Sequence, residues 1–163
     1  MTDKKRCVCF TGHRAIGSAA VKDVEARLDV VIERCIGAGY RNFISGGALG
    51  FDTLAANRVL SAKKKHPDVT LTLILPCRDQ TKLWTNLDNI NEYRHLKDAA
   101  DEIVYIREFY DASCMIKRNE RMVDSSSLCV AYFNGKAGGT QKTISYAKEK
   151  GVAVINLFTG SAR

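Results

Sequence analysis

Short apolar runs recur along this chain, each followed by a turn and then by a segment with helical spacing. The runs fall at 7–11, 42–44, 69–75, 102–106, 128–133 and 152–158. Most lack the apolar–polar alternation of a half-exposed strand, so they predict strands buried on both faces. Between them, residues 18–36 place Val21, Val24, Leu28, Val31, Ile32, Cys35 and Ile36 on one helical face. Ser18 is the expected N-cap of that helix, and Gly37 and Gly39 supply its stop. Further helices are predicted from 53 to about 65, through Leu83, Trp84, Leu87, Ile90 and Leu96, over 113–124, and over 141–150. Strand and helix in alternation define an α/β three-layer sandwich, a mostly parallel sheet with helices on both faces. A length of 163 residues suits one domain, 1–163.

Right-handed crossovers bring the C-terminal end of every parallel strand to one edge. The turns that follow the strands therefore converge. After the first run come Gly12, His13 and Arg14; Arg14 offers a fork for a phosphate. After the second comes Ser45-Gly46-Gly47-Ala48-Leu49-Gly50-Phe51-Asp52. A glycine pair between strand and helix lets backbone N–H groups approach an anion, and Asp52 is the expected N-cap of the next helix. After the third come Pro76-Cys77 and Gln80. After the fifth comes Asn134-Gly135-Lys136-Ala137-Gly138-Gly139-Thr140, a second glycine-rich strand-to-helix turn. The helix over 113–124 is expected to present Lys117, Arg118 and Asn119 on an exposed face. An anionic ligand in this crevice would meet Gly46, Gly47, Gly138, Gly139 and Thr140 through the backbone. Gln80, Arg118 and Asn119 would then contact sugar or base.

The formal charge of +7, most of it before Pro67, suits an anionic partner. Lys63-Lys64-Lys65 has a plainer role at the end of a helix, where cations complement the dipole. Six cysteines without a C-x-x-C pair, no apolar stretch of about 20 residues, and a charged start predict a cytoplasmic protein with free thiols and no membrane contact. Cys7, Cys9 and His13 could form a metal site, but burial of the two thiols on one strand face is the better reading; no metal or cofactor is expected.

The phosphate-loop, dinucleotide, nucleophile-elbow and zinc-protease motifs are all missing from the sequence. Asp52 and Asp124 are the leading candidates for a catalytic carboxylate near the crevice, and for Asp52 the capping role is favoured.

Taken in order, Cys9-Phe10-Thr11-Gly12-His13-Arg14, the Gly46–Asp52 stretch, Pro76-Cys77 with Gln80 and Trp84, Arg118-Asn119 with Met122-Val123-Asp124, and Gly138-Gly139-Thr140 resemble the YpsA-like branch of the SLOG superfamily. The resemblance covers nearly the whole chain. It implies a Rossmann-like fold and relatives of several kinds: LOG-type phosphoribohydrolases, DprA-type DNA-binding proteins and sensors of nucleotide-derived signals. The LOG-type motif ends in a catalytic glutamate, whereas Thr143 stands at that position here. The Ser45–Asp52 stretch is similar to that of DprA, but no interleaving of basic and aromatic residues accompanies it.

The expectation is a module that binds a nucleotide or nucleotide-derived small molecule, ADP-ribose-like, as sensor or sponge. The alternatives are a nucleotide hydrolase or transferase using Asp52 or Asp124, and DprA-like binding of single-stranded nucleic acid. A homodimer is compatible with the resemblance, though no sequence feature shows one.

Overall fold

The computed structural model describes residues 3–159. A 3₁₀ turn, Lys4–Arg6, leads into strand β1, Cys7–Gly12. Helix α1, Val21–Gly37, and strand β2, Asn42–Ser45, follow. Next come α2, Phe51–Lys63; β3, Thr70–Cys77; α3, Leu87–Ala99; and β4, Glu102–Arg107. The remaining elements are α4, Cys114–Asp124; β5, Leu128–Tyr132; α5, Gly139–Glu149; and β6, Ala153–Asn156. Every strand pairing is parallel, and the order is β4-β3-β2-β1-β5-β6. The fold is Rossmann-like α/β.

Strand β1 shows why the runs had no alternation. Val8 and Phe10 face α1, α2 and α3, while Cys7 and Cys9 face α4 and α5, and all four are buried. On the first face Phe10 stacks on Phe43 at 6.1 Å and meets Phe51 edge-on at 6.3 Å. Leu28, Leu71, Leu73 and Leu75 complete that layer. Burying each such side chain contributes roughly 1.5–3 kcal/mol. On the second face Ile44, Ile74, Met122 and Cys129 pack against Cys7 and Cys9, so these thiols are core residues.

Several element boundaries differ from the sequence expectation, among them those of α1, β3 and α3. Helix α1 begins at Val21 behind Ala20, with no side-chain cap, so Ser18 does not cap it, and Val21 is only half-buried. Strand β3 runs on through Pro76. Along β3 the even-numbered residues point their N–H toward β2, as Thr70 does in donating to Arg41 at 2.8 Å. Strand β2 has already stopped at Ser45, opposite Leu73, so the missing N–H of Pro76 costs no ladder bond.

The third difference is larger. Helix α3 starts at Leu87, where Asn86 caps it by accepting from the Asn89 N–H at 3.1 Å. This start sets a different phase, with Tyr93 and Leu96 buried while Leu83 and Leu87 are exposed. Trp84 lies before the helix and packs edge-on against Tyr93 at 5.3 Å.

Among the described residues no helix is long and apolar enough to cross a membrane.

Candidate functional site

From β1 the sheet winds one way, through β2 and β3 to β4; from β5 it winds the other way, to β6. The two directions part between β1 and β5, and open α/β sheets bind ligands outside the strand ends at such a point. A crevice of about 450 Å³ lies there. Its walls come from the turn after β1, the turn after β5, the start of α2 and the first half of α4.

The turn after β1 is pinned on two sides. The carbonyl of His13 accepts from the Phe51 N–H at 3.1 Å, which ties it to the start of α2. The His13 Nε2 accepts from the Asn134 N–H at 2.9 Å, which ties it to the turn after β5. That bond requires the neutral ring, and burial lowers the His13 pKa as well. Gly12 is required by packing, since a Cβ there would lie 2.5 Å from the ring of Phe51. Arg14 is exposed at the rim of the crevice.

The glycine turn after β2 works differently from its sequence reading. Gly50, not Asp52, is the N-cap of α2. Asp52 sits one residue inside the helix and is 6% exposed. Its carboxylate turns back along the loop and accepts from the Ala48 N–H at 3.4 Å. The Gly46 N–H faces it as well and favours its ionised form. Ser45 Oγ donates to the Asp52 carbonyl at 3.0 Å and accepts from the Gly47 N–H at 3.3 Å. These amides thus serve Ser45 and Asp52. Gly47, at φ +68°, faces Leu75 and Tyr93, away from the crevice.

Arg118 is buried, against the expected exposed face of α4. Cys114, Arg118 and Met122 fall four residues apart and form the buried stripe of this helix. That spacing was present in the sequence as a signal. The guanidinium donates from Nε to Asn119 Oδ1 at 2.7 Å and from Nη1 to the Gly46 carbonyl. Asp52 and Arg118 form the floor of the crevice. Burial pushes the Asp52 carboxyl up to about 6, against the opposing pull of Arg118, the Ala48 N–H, Arg14 and the Gly46 N–H. Burial lowers the Arg118 pKa, and Asp52 opposes it.

Opposite this floor, α5 begins at Gly139 behind Gly138, with no side-chain cap. Gly138 has φ +150°, which favours glycine. The first amides of α5 are not used by a side-chain cap, and Lys136, Gly138, Gly139 and Thr140 line this wall. Thr143 lies on the far side of the helix start, where its Oγ1 donates to the Gly139 carbonyl at 2.9 Å.

Gly12, His13, Arg14, Asp52, Arg118, Asn119, Gly138, Gly139 and Thr140 therefore share one crevice. Gln80 lies outside it, accepting from the Tyr93 hydroxyl at 2.9 Å. Asp124 lies outside it too. Helix α4 runs back along the sheet, which carries its last residue about 15 Å from its first, and Asp124 there accepts from the Tyr146 hydroxyl at 2.9 Å. Five lining residues were not singled out from the sequence: Thr11, Ala48, Met115, Lys136 and Ala137. A second groove, of about 530 Å³, runs between α1 and β6, but its walls are apolar, with Val31, Leu128 and Leu157. Among the described residues no group of three or more His, Cys, Asp or Glu side chains could hold a metal ion.

An all-parallel sheet with a polar, mainly basic crevice at its switch point defines an α/β protein of the doubly wound class. More narrowly, residues 8–154 match the YspA SLOG family, and the chain belongs to it. It is 35% identical over 119 residues to the uncharacterized SPbeta prophage-derived protein YoqJ of Bacillus subtilis (strain 168), covering 66% of this chain and 69% of YoqJ. It is 28% identical over 141 residues to the UPF0398 protein BH1768 of Halalkalibacterium halodurans, covering 85% of this chain and 71% of that protein. Among solved structures, DNA processing protein A (DprA) from Streptococcus pneumoniae superposes with a TM-score of 0.72 at 18% identity, over 98% of this chain and 52% of that one. DprA from Helicobacter pylori, studied for its single-stranded DNA binding mode, gives 0.65 at 16% identity, over 93% and 64%. The chain thus spans about half to two thirds of the DprA chains, and at these identities the likeness concerns the fold.

Proposed function

We propose that the crevice binds a phosphate-bearing nucleotide or nucleotide-derived small molecule of the ADP-ribose type. The observation that carries this reading is the start of α5, uncapped by any side chain, facing the same crevice as Lys136 and Arg14. Free amides, the positive end of a helix dipole and two cations are the donors a phosphate needs. A volume of about 450 Å³ is in the range of small-ligand sites. The glycine pair at Gly46 and Gly47 has no phosphate role in this reading, because the Gly47 amide bonds to Ser45 and the Gly46 amide faces Asp52. The module acts by holding its ligand, as sensor or sponge.

The test is mass spectrometry of small molecules released from the purified protein, with thermal shifts in a panel of nucleotides and ADP-ribose. A stabilising ligand whose effect falls at least tenfold in Arg14→Ala and Lys136→Ala supports the reading. A panel without any shift removes it.

Single-stranded nucleic acid is the second reading. The fold likeness to two DprA proteins and the net charge of +7 favour it. It requires affinity for an oligonucleotide that falls steeply with salt. A hydrolase would rest on Asp52, the only one of the two candidate carboxylates to line the crevice. Turnover unchanged in Asp52→Asn would exclude that role.

A further inference from the structure

The crevice has a feature that an anion site does not need. Its floor holds a carboxyl group, Asp52, which is 6% exposed and lies across from the Lys136–Thr140 wall. A cavity of this volume is roughly 9 Å across, so a phosphate within it lies within about one Debye length of Asp52. Two anions would then share one small space, one of them on a buried side chain.

We propose that Asp52 sets the specificity of the crevice by coupling uptake of an anionic ligand to uptake of one proton on its own carboxyl. This inference rests on the nucleotide reading above. The groups facing Asp52 come from every surrounding element. They are the Arg118 guanidinium from α4, Arg14 from the turn after β1, the amides of Gly46 and Ala48 from the turn after β2, and the Cys129 thiol from β5. The two cations and two amides favour the ionised carboxyl, but burial outweighs them, so in the free protein Asp52 already titrates at about 6. A bound phosphate adds negative charge to this balance and raises the value further. The ligand then binds best at acidic to neutral pH, where Asp52 carries its proton, and is released as pH rises. A protonated Asp52 also has an O–H to donate, so the crevice favours a ligand with an acceptor beside its phosphate. His13 lines the same crevice, but its Nε2 is committed to the Asn134 N–H, which opposes protonation of that ring.

The probe is ADP-ribose, whose two phosphates are diester-like and remain ionised over the range used. Titration calorimetry at about pH 6.5, in buffers of different ionisation enthalpy, reads proton uptake directly. The expected uptake is about half a proton, with affinity falling roughly tenfold between about pH 5.5 and 8, as for a shift of one unit. Asp52→Asn keeps an oxygen to accept from the Ala48 N–H. In that variant both the uptake and the slope disappear. Binding without proton uptake, or a slope that persists in Asp52→Asn, overturns the inference while the nucleotide reading stands. No binding of ADP-ribose at any pH removes this inference, whereas the nucleotide reading falls only with a panel that gives no shift. If the variant fails to fold, the wild-type titration still tests the inference, because binding without proton uptake overturns it.

Discussion

The guanidinium of Arg118 donates to the carbonyl of Gly46, a contact between residues 72 positions apart that ties α4 to the turn after β2. The same turn bonds to Asp52, so the contact fixes the floor of the crevice from both sides. Removing the arginine leaves a buried carbonyl without its donor, and leaves Asp52 without its nearest compensating charge. Arg118→Met is expected to lower stability by roughly 2–3 kcal/mol, within the range for losing a charge-assisted bond in a buried site. Urea denaturation at about pH 5 and pH 8 checks it. The loss should be larger at the higher pH, where Asp52 is ionised, and an equal loss at both would break the link to Asp52.

Gly50 supplies a sharper steric test. It stands at φ +79°, and a Cβ there would lie 2.2 Å from the Arg14 carbonyl oxygen. Both objections are to backbone atoms, which cannot rotate away. Gly50→Ala should cost about 3 kcal/mol or more through strain and displacement of the turn after β1. Gly17→Ala, where a Cβ would meet nothing within 4 Å, should stay within about 0.5 kcal/mol. Similar denaturation midpoints for the two variants would contradict the tight junction between the two turns.

The sheet was readable because burial on both faces writes a simple pattern. Residues such as Val8, Cys9 and Phe10 are apolar whichever way they point. Sheet order fixes which turns converge, so Gly12, Arg14 and the Gly138–Thr140 turn could be joined without seeing them. Side-chain direction was harder to read. Arg118 looked like a surface residue because charge is usually solvated, and only its spacing with Cys114 and Met122 reveals the buried stripe. Asp52 looked like a cap because it stands near a helix start, but Gly50, with its positive φ, already caps the helix two residues earlier. Asp124 follows Arg118 closely in sequence, but the length of α4 separates them in space.

The titration of Asp52 has a consequence for stability, apart from any ligand. Its folded value, about 6, lies above the ordinary 3.8. A raised value means that the stabilising contribution is complete below the unfolded pKa and is lost as pH rises through the folded one. Asp52 therefore lowers stability progressively between about pH 4 and 6, by at most about 3 kcal/mol for a shift of this size. Asp68, Asp101 and Asp111 have lowered values and act in the opposite direction. The wild-type profile mixes these terms, but the difference between wild type and Asp52→Asn isolates one. Thermal or urea unfolding across that range should show the variant gaining on the wild type as pH rises. A constant difference would mean that Asp52 does not titrate in this window.

The two glycines at the start of α5 separate backbone strain from ligand access. Gly138, at φ +150°, is needed for its conformation, so Gly138→Ala should cost about 1–2 kcal/mol and shift the first amides of the helix. Gly139 is helical, and a Cβ there would meet nothing within 4 Å. Alanine is the better helix former, so Gly139→Ala should raise stability by roughly 0.5–1 kcal/mol. The same methyl group projects beside the amides offered to a phosphate and should weaken ADP-ribose binding about tenfold or more, an effect of the size expected when close backbone approach is blocked. Unfolding curves and calorimetric titrations on the two variants check this together. A Gly139→Ala protein that is more stable and binds as tightly as the wild type would show that the phosphate does not sit on the start of α5, and would return Lys136 and Arg14 to the role of surface charges.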